Sequence, residues 1–364
     1  MANTKVLVVD DSALMRQLLT RILSHDPTIE VVGTAADPLI AWKKIQELSP
    51  DVLTLDVEMP KMDGLTFLSK LMAARPMPVV MVSSLTARGA ETTLKALELG
   101  AFDFVTKPSI DVSNGTAQIS EDIIAKVRAA ASARIRQRGT KSSLAGPSPA
   151  IHVPRGLAEV TDKIIAIGAS TGGTEALAQV LPAFPADTPG VVVVQHMPKA
   201  FTSAFAQRLN GLCRMRVKEA EHGDRIIRGT ALIAPGDFHM EVVRQGAAYY
   251  VRLNQRPPVN GFRPSVDVLF HSCAEQMGPH AAAAILTGMG RDGAAGMLAM
   301  RKVGSHTIAQ DEESCVVFGM PKEAIAAGGA ARVLPLERIA GELIAAVAGV
   351  RSGESREVAS HARH

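Results

Sequence analysis

Three residues in the second half of the chain are of the types that acyl-transfer chemistry needs. Ser170 stands in Gly168-Ala169-Ser170-Thr171-Gly172, His196 follows the run Val191-Val192-Val193-Val194-Gln195, and Asp292 lies in Gly288-Met289-Gly290-Arg291-Asp292-Gly293. A serine hydroxyl is a poor nucleophile near neutral pH. It needs an imidazole to take its proton, and the imidazole needs a carboxylate to fix its tautomer. The glycine spacing around Ser170 fits a nucleophile elbow, with the orphan N–H groups of the following helix start available to an oxyanion. The glycine-rich loop before Asp292 offers a further backbone N–H at Met289. The same Ser170 stretch also reads as a plain strand-to-helix turn or as a glycine-rich phosphate cradle. His222, His239, His271, His280 and His306 compete with His196, and Asp224 and Asp237 with Asp292. His196 is preferred because it directly follows a four-valine strand. Asp292 is preferred because its loop follows a buried one.

The first half holds a second constellation. Asp10 and Asp11 follow Val6-Leu7-Val8-Val9, Asp56 closes a strand from Asp51, Ser83 closes one from Val79, and Lys107 follows Ala101–Thr106. Three carboxylates brought to one place repel one another unless a divalent cation sits among them, and an oxygen-only ligand set suits Mg²⁺. The cation and the lysine would then present positive charge to a phosphoryl group. Asp56, at a strand tip, is placed to attack in line and become an acyl phosphate. Helix capping explains Asp11 alone, but not polar groups at the ends of four strands.

The elements that must position these groups alternate. Short apolar strands separated by helical patterns predict parallel sheets covered on both faces, in each half of the chain. In an open α/β sheet the carboxyl ends of the strands share one edge, where ligands bind. The fold expected is therefore α/β: a flavodoxin-like (βα)5 domain over residues 1–122, and a doubly wound, mostly parallel sheet over 158–348. The order Ser…His…Asp differs from the Ser…Asp…His of the α/β-hydrolases, so a separate fold is expected to reach the same chemistry. Within 123–157, Ile123–Gln137 continues as a basic helical pattern rich in alanine and arginine, then Gly, Ser and Pro from Gly139 break it, the composition of a flexible linker, and 349–364 is a polar tail.

Bulk properties narrow the class. With 364 residues and 47% hydrophobic content, two full cores can be built. A net charge of +3 gives no reason to expect nucleic acid as a partner. The three cysteines lack metal or disulfide spacing, and no basic-then-apolar leader or run of about 18 apolar residues is seen. A cytoplasmic protein without membrane insertion is expected.

The acidic pair, Asp56 followed by Met59-Pro60, Ser83 and Lys107-Pro108 together resemble the receiver domain of two-component response regulators. The resemblance implies that Asp56 takes a phosphoryl group from a histidine kinase. It implies Mg²⁺ bound by Asp10, Asp11 and Asp56 with the carbonyl of Glu58, and Ser83, Phe104 and Lys107 as the switch residues. Gly168–Gly173, Gln195-His196-Met197 and Leu286–Gly293 are similar to the signature segments of the CheB chemotaxis methylesterases, and the domain order matches. That resemblance implies a chemotaxis kinase as phosphodonor and methyl-accepting chemoreceptors as substrate. Glutamate methyl esters would be hydrolysed and glutamines deamidated without a metal at the esterase site. It also implies Ser170, His196 and Asp292 as the triad and backbone amides of Thr171 and Met289 as the oxyanion hole. A reading from another class is a phosphorylation-dependent interaction module without catalysis. Such a binding loop has no use for His196 and Asp292 at neighbouring strand ends.

Overall fold

The computed structural model describes residues 3–59, 62–84, 86–108, 116–132 and 163–348. Most of the expected linker and all of the expected tail lie outside these.

In the first half, β-branched and leucine-rich runs become β1 (Thr4–Val9), β2 (Ile29–Ala35), β3 (Val52–Asp56), β4 (Val79–Ser83) and β5 (Asp103–Thr106). They alternate with α1 (Ala13–Leu23), α2 (Pro38–Leu48), α3 (Gly64–Ala74), α4 (Ala87–Glu98) and α5 (Thr116–Ser132). The sheet order is β2-β1-β3-β4-β5, parallel throughout. The order reverses beside β1, so Asp10 and Asp56 leave adjacent strands at the edge where ligands bind. Side-chain caps start four of the helices: Ser12, Asp37, Asp63 and Thr86 each accept from a backbone N–H of the first turn.

Helix α5 crosses the domain boundary expected at residue 122. Its apolar face does not end there: Ile123, Val127 and Ala130 are buried in the core with Val6, Val8 and Val80. Arg128, assigned from composition to the basic linker, instead reaches Asp26 at 2.5 Å. Composition misled here because an alanine- and arginine-rich segment serves equally as linker or as docked helix. Only packing tells them apart.

The second half forms β6 (Ile164–Ala169), α6 (Gly173–Val180), β7 (Gly190–Gln195), α7 (Lys199–Leu212), β8 (Arg216–Glu219) and β9 (Thr230–Ile233). There follow the hairpin β10 (His239–Gln245) and β11 (Ala248–Asn254), then α8 (Val266–Met277), β12 (Ala281–Ile285), α9 (Ala294–Lys302), β13 (His306–Gln310), α10 (Met320–Ala326), β14 (Arg332–Leu334) and α11 (Leu336–Ala348). Seven of these strands make one parallel sheet in the order β14-β13-β12-β6-β7-β9-β8. Strand β6 sits in the middle and the winding reverses on either side of it. The crevice at that reversal opens directly after Ala169. The core of this domain is mostly aliphatic with four fully buried phenylalanines, Phe184, Phe201, Phe205 and Phe270; the four valines of β7 are also fully buried, each worth about 1.5–3 kcal/mol of transfer free energy.

The two domains pack on each other. Helix α4 lies against α7, and Phe104 of β5 stacks on Phe201 of α7 with ring centroids 4.5 Å apart. Arg208 of α7 donates to Glu98 of α4 at 2.7 Å and to Glu175 of α6 at 2.8 Å. No described helix is long and apolar enough to cross a membrane.

Candidate active site

Strand register brings the expected residues together. Ala169 is opposite Gln195 across β6 and β7, so the next residues, Ser170 and His196, emerge side by side. Backbone bonds tie the junction on both sides: His196 N donates to Ala169 O at 3.1 Å, and Ser170 N to Thr287 O at 3.1 Å. Gln195 Nε2 donates to the carbonyls of Ser170 (2.9 Å) and His196 (3.1 Å), and Thr287 Oγ1 donates to the carbonyl of Thr171 (3.0 Å). The turn after Ser170 needs φ of +75° at residue 172, which glycine supplies.

Asp292 is fully buried and surrounded by donors. It accepts from His196 Nε2 at 2.8 Å, Ser265 Oγ at 2.7 Å, Asn260 Nδ2 at 2.9 Å, Val266 N at 2.6 Å and Asp267 N at 3.3 Å. The last two are free N–H groups of the first turn of α8, which favour a negative charge. Burial alone would push the Asp292 carboxyl up, but the hydrogen bond and charge of His196, with Asn260 and Ser265, hold it below its usual range. The pair to Asp292 puts the histidine proton on Nε2 and leaves the lone pair on Nδ1. That Nδ1 is buried and makes no hydrogen bond among the described residues. The structure thus joins His196 to Asp292, places Ser170 at the neighbouring strand end, and leaves Nδ1 as the open acceptor. Of the expected oxyanion donors, Thr171 is buried and Met289 is 37% exposed.

The competing residues have other occupations. Asp224 pairs with Lys218 at 3.0 Å, Asp237 holds Arg263, His306 meets Glu342 at 3.1 Å, and His239 Nε2 bonds the carbonyl of Pro257 at 3.1 Å. Asn260, Ser265 and Gln195 carry no motif that marks them as support for a triad. The signal in Ser265 is its helix-capping position, and that in Asn260 is the dipeptide Asn-Gly.

In the other domain Asp10, Asp11 and Asp56 place ligand oxygens within 4.8 Å of one another. Lys107 Nζ lies 2.7 Å from Asp56 and 3.2 Å from Asp10. Burial pushes the Asp56 carboxyl up to about 6, against the pull of Lys107 and with the help of Asp10. Asp10 Oδ2 is buried, and among the described residues only the Lys107 ammonium, 3.2 Å away, faces it. A hard, oxygen-seeking cation such as Mg²⁺ fits this set, since three clustered carboxylates carry more negative charge than the one Lys107 ammonium balances. Glu58 is tied back to the site through its N–H, which donates to Asp56 at 3.2 Å. The Ser83 hydroxyl is buried and accepts from Thr93 Oγ1 of α4 at 2.8 Å. Phe104 is buried against Phe201, with Lys126 5.3 Å from its ring centroid. Beside it, burial raises the Asp103 carboxyl, a shift opposed by Lys126 and by the Thr171 side chain from the other domain.

Fold and site together define a response-regulator receiver coupled to an α/β output domain with hydrolase geometry. Comparison with known proteins agrees: residues 6–119 match the response regulator receiver domain, and residues 165–343 match the CheB methylesterase domain. A protein-glutamate methylesterase/protein-glutamine glutaminase of Cupriavidus pinatubonensis is 56% identical over 347 residues, covering 95% of this chain and 97% of its own length. Proteins of the same name from Geobacter metallireducens and Salmonella typhimurium are 59% and 55% identical, over 91% and 95% of this chain and 93% and 98% of their own lengths. The Thermotoga maritima CheB methylesterase catalytic domain is 43% identical with a TM-score of 0.50, over 51% of this chain and 98% of that one. The chain belongs to the CheB methylesterase family.

Proposed function

We propose that this chain is a phosphorylation-activated protein-glutamate methylesterase and glutamine deamidase, acting on chemoreceptors in the cytoplasm and taking its phosphoryl group from a chemotaxis histidine kinase. The observation that carries the reading is the buried His196–Asp292 pair at 2.8 Å beside the strand end of Ser170. In this mechanism Ser170 Oγ attacks the side-chain carbonyl of a glutamate methyl ester while His196 Nδ1 takes its proton. The tetrahedral oxyanion is held by backbone N–H groups of Thr171 and Met289. His196 returns the proton to the leaving oxygen and methanol departs. Water, deprotonated by His196, then releases the glutamate carboxylate and restores Ser170. A glutamine follows the same course with ammonia as leaving group. Asp292 keeps the proton on Nε2 and stabilises the imidazolium, assisted by the first turn of α8.

Control follows from the domain contact. A cleft of ≈ 1030 Å³ between the domains is lined by Leu97 and Phe102 on one side and by Gly172, Thr287 and Val316 on the other. A substrate helix about 10–12 Å across must reach Ser170 past this wall. Asp10, Asp11 and Asp56 would hold Mg²⁺, which when bound offsets the negative charge of an incoming phosphoryl group. Asp56 is the acceptor and Lys107 pairs with the product. A phosphoryl group at Asp56 competes for the Ser83 hydroxyl, now tied to Thr93 of α4. Helix α4 carries Glu98, the receiver's anchor on Arg208. Phosphorylation therefore shifts the population from docked to open domains.

The test is methanol release from methylated receptor membranes by the wild type and Ser170→Ala, each with and without acetyl phosphate. Release that requires Ser170 and rises with the phosphodonor is expected. Equal release from both proteins would leave a phosphorylation-switched binding protein in its place.

A further inference from the structure

The segment between β11 and α8 touches two members of the candidate triad from outside the sheet. Val259-Asn260-Gly261-Phe262 closes on itself: Val259 N donates to Phe262 O at 3.0 Å, and Phe262 N to Val259 O at 2.9 Å. Asn260 and Gly261 have φ of +53° and +84°. These are the two left-handed positions of a type I′ turn, which Asn-Gly adopts at low cost. From this turn Asn260 Nδ2 donates to Asp292 Oδ1 at 2.9 Å and to Asp267 Oδ2 at 2.8 Å. Phe262 lies flat on the imidazole of His196, with centroids 3.8 Å apart and planes 6° from parallel.

The turn contributes little to the core, since Val259, Asn260 and Gly261 are all exposed. Its contacts nevertheless fall on the atoms whose orientation matters most. A hydrogen bond at Nε2 fixes one point of the imidazole and leaves the ring free to swing about its broad side-chain torsion. A flat aromatic face stacked on it removes that freedom and shields one side from water. The Asp292 carboxylate likewise needs its plane set if the oxygen facing His196 is to stay in line. Asn260, bonded to two neighbouring carboxylates at once, does this and offsets the repulsion between Asp292 and Asp267.

We propose that the Val259–Phe262 turn is the positioning element of this hydrolytic site: Phe262 sets the ring plane of His196 and Asn260 the carboxylate plane of Asp292, so that Nδ1 is aimed at the Ser170 hydroxyl. The inference rests on the reading of Ser170, His196 and Asp292 as the triad. Both residues act through their neighbours and are positioning residues.

The experiment measures methanol release against receptor concentration by the full-length, acetyl-phosphate-treated protein. The variants are Phe262→Leu, Phe262→Tyr and Asn260→Ala, with Ser170→Ala as reference. Leucine keeps apolar bulk without a flat face, and tyrosine keeps the face. Phe262→Leu and Asn260→Ala are expected to lower kcat about 10–100-fold with KM within about twofold, because misplacement by about an ångström costs rate and not affinity. Phe262→Tyr is expected to regain most of that loss, and Ser170→Ala to release no methanol. An inactive Ser170→Ala alongside Phe262→Leu and Asn260→Ala with kcat within twofold of wild type would leave the triad standing and overturn the positioning role. A raised KM with unchanged kcat would overturn it too, by making the turn a substrate contact. Wild-type release from Ser170→Ala would overturn the triad and the proposal with it.

Discussion

Replacing Arg208 with alanine should raise the activity of the unphosphorylated protein. One guanidinium there ties receiver helix α4, through Glu98, to catalytic-domain helix α6, through Glu175, at 2.7 and 2.8 Å. The arginine side chain is 14% exposed, but Glu175 is 30% and Glu98 50% exposed. Water therefore screens both pairs, and each contributes about 0.5–1 kcal/mol. Only the Glu98 pair crosses between the domains, because Arg208 and Glu175 both belong to the catalytic domain, so docking weakens by about 0.5–1 kcal/mol, or about 2–5-fold in the balance between docked and open domains. Methanol release by unphosphorylated Arg208→Ala should rise by about that factor over unphosphorylated wild type, with the phosphorylated wild-type rate as the ceiling. Acetyl phosphate should stimulate the variant correspondingly less. Added salt should raise the basal rate of wild type more than that of the variant, because it screens the contacts the variant has lost. A basal rate no higher than that of wild type, insensitive to salt in both proteins, would refute the reasoning that Arg208 holds the receiver over the site.

Other substitutions probe the site itself. Asp292→Ala leaves Ser265 Oγ and Val266 N without their acceptor and Asn260 Nδ2 with only Asp267, and should cost about 3–5 kcal/mol in denaturant unfolding. Because the folded carboxyl titrates below its ordinary 3.8, the part of that stabilisation that comes from its charge is present above 3.8 and is lost as the pH falls through the lower folded value. The gap between wild type and variant should therefore narrow in acid. Asp292→Asn should fold better but lower kcat by about 10⁴-fold, the effect of losing the carboxylate that sets a histidine tautomer. In Gly288→Ala a new Cβ would lie 2.3 Å from Met320 Sδ, 2.8 Å from Ser170 Cβ and 3.1 Å from Ser170 N, so Met320 and the Ser170 turn must shift, and both kcat, by about 100-fold, and the melting temperature should fall. Asp10→Asn removes one of three clustered carboxylates; calorimetry should show Mg²⁺ binding at least about tenfold weaker, and stimulation by acetyl phosphate should disappear.

Much of this protein was legible in its sequence because strand-end chemistry is local. An apolar run that stops at a polar residue places that residue at the carboxyl edge of a parallel sheet. Asp10, Asp56, Ser83, Ser170 and His196 could each be located in this way from a few neighbours. The Asn-Gly at 260–261 was equally visible as a turn, but nothing in its spacing says that it folds over residues 196 and 292. Tertiary structure alone decided that Asp292 meets His196 through Nε2, and that its charge rests on the first turn of α8. It alone decided that the helical stretch past residue 122 packs into the receiver core and is no linker, and that one arginine reaches across the domain contact. The physical division is one of range. Hydrophobic period and turn chemistry are written in adjacent residues, whereas a buried carboxylate's partners, a ring's stacking face and a domain contact are chosen by elements tens of residues apart. The sequence carries the pieces of those contacts without the register that joins them.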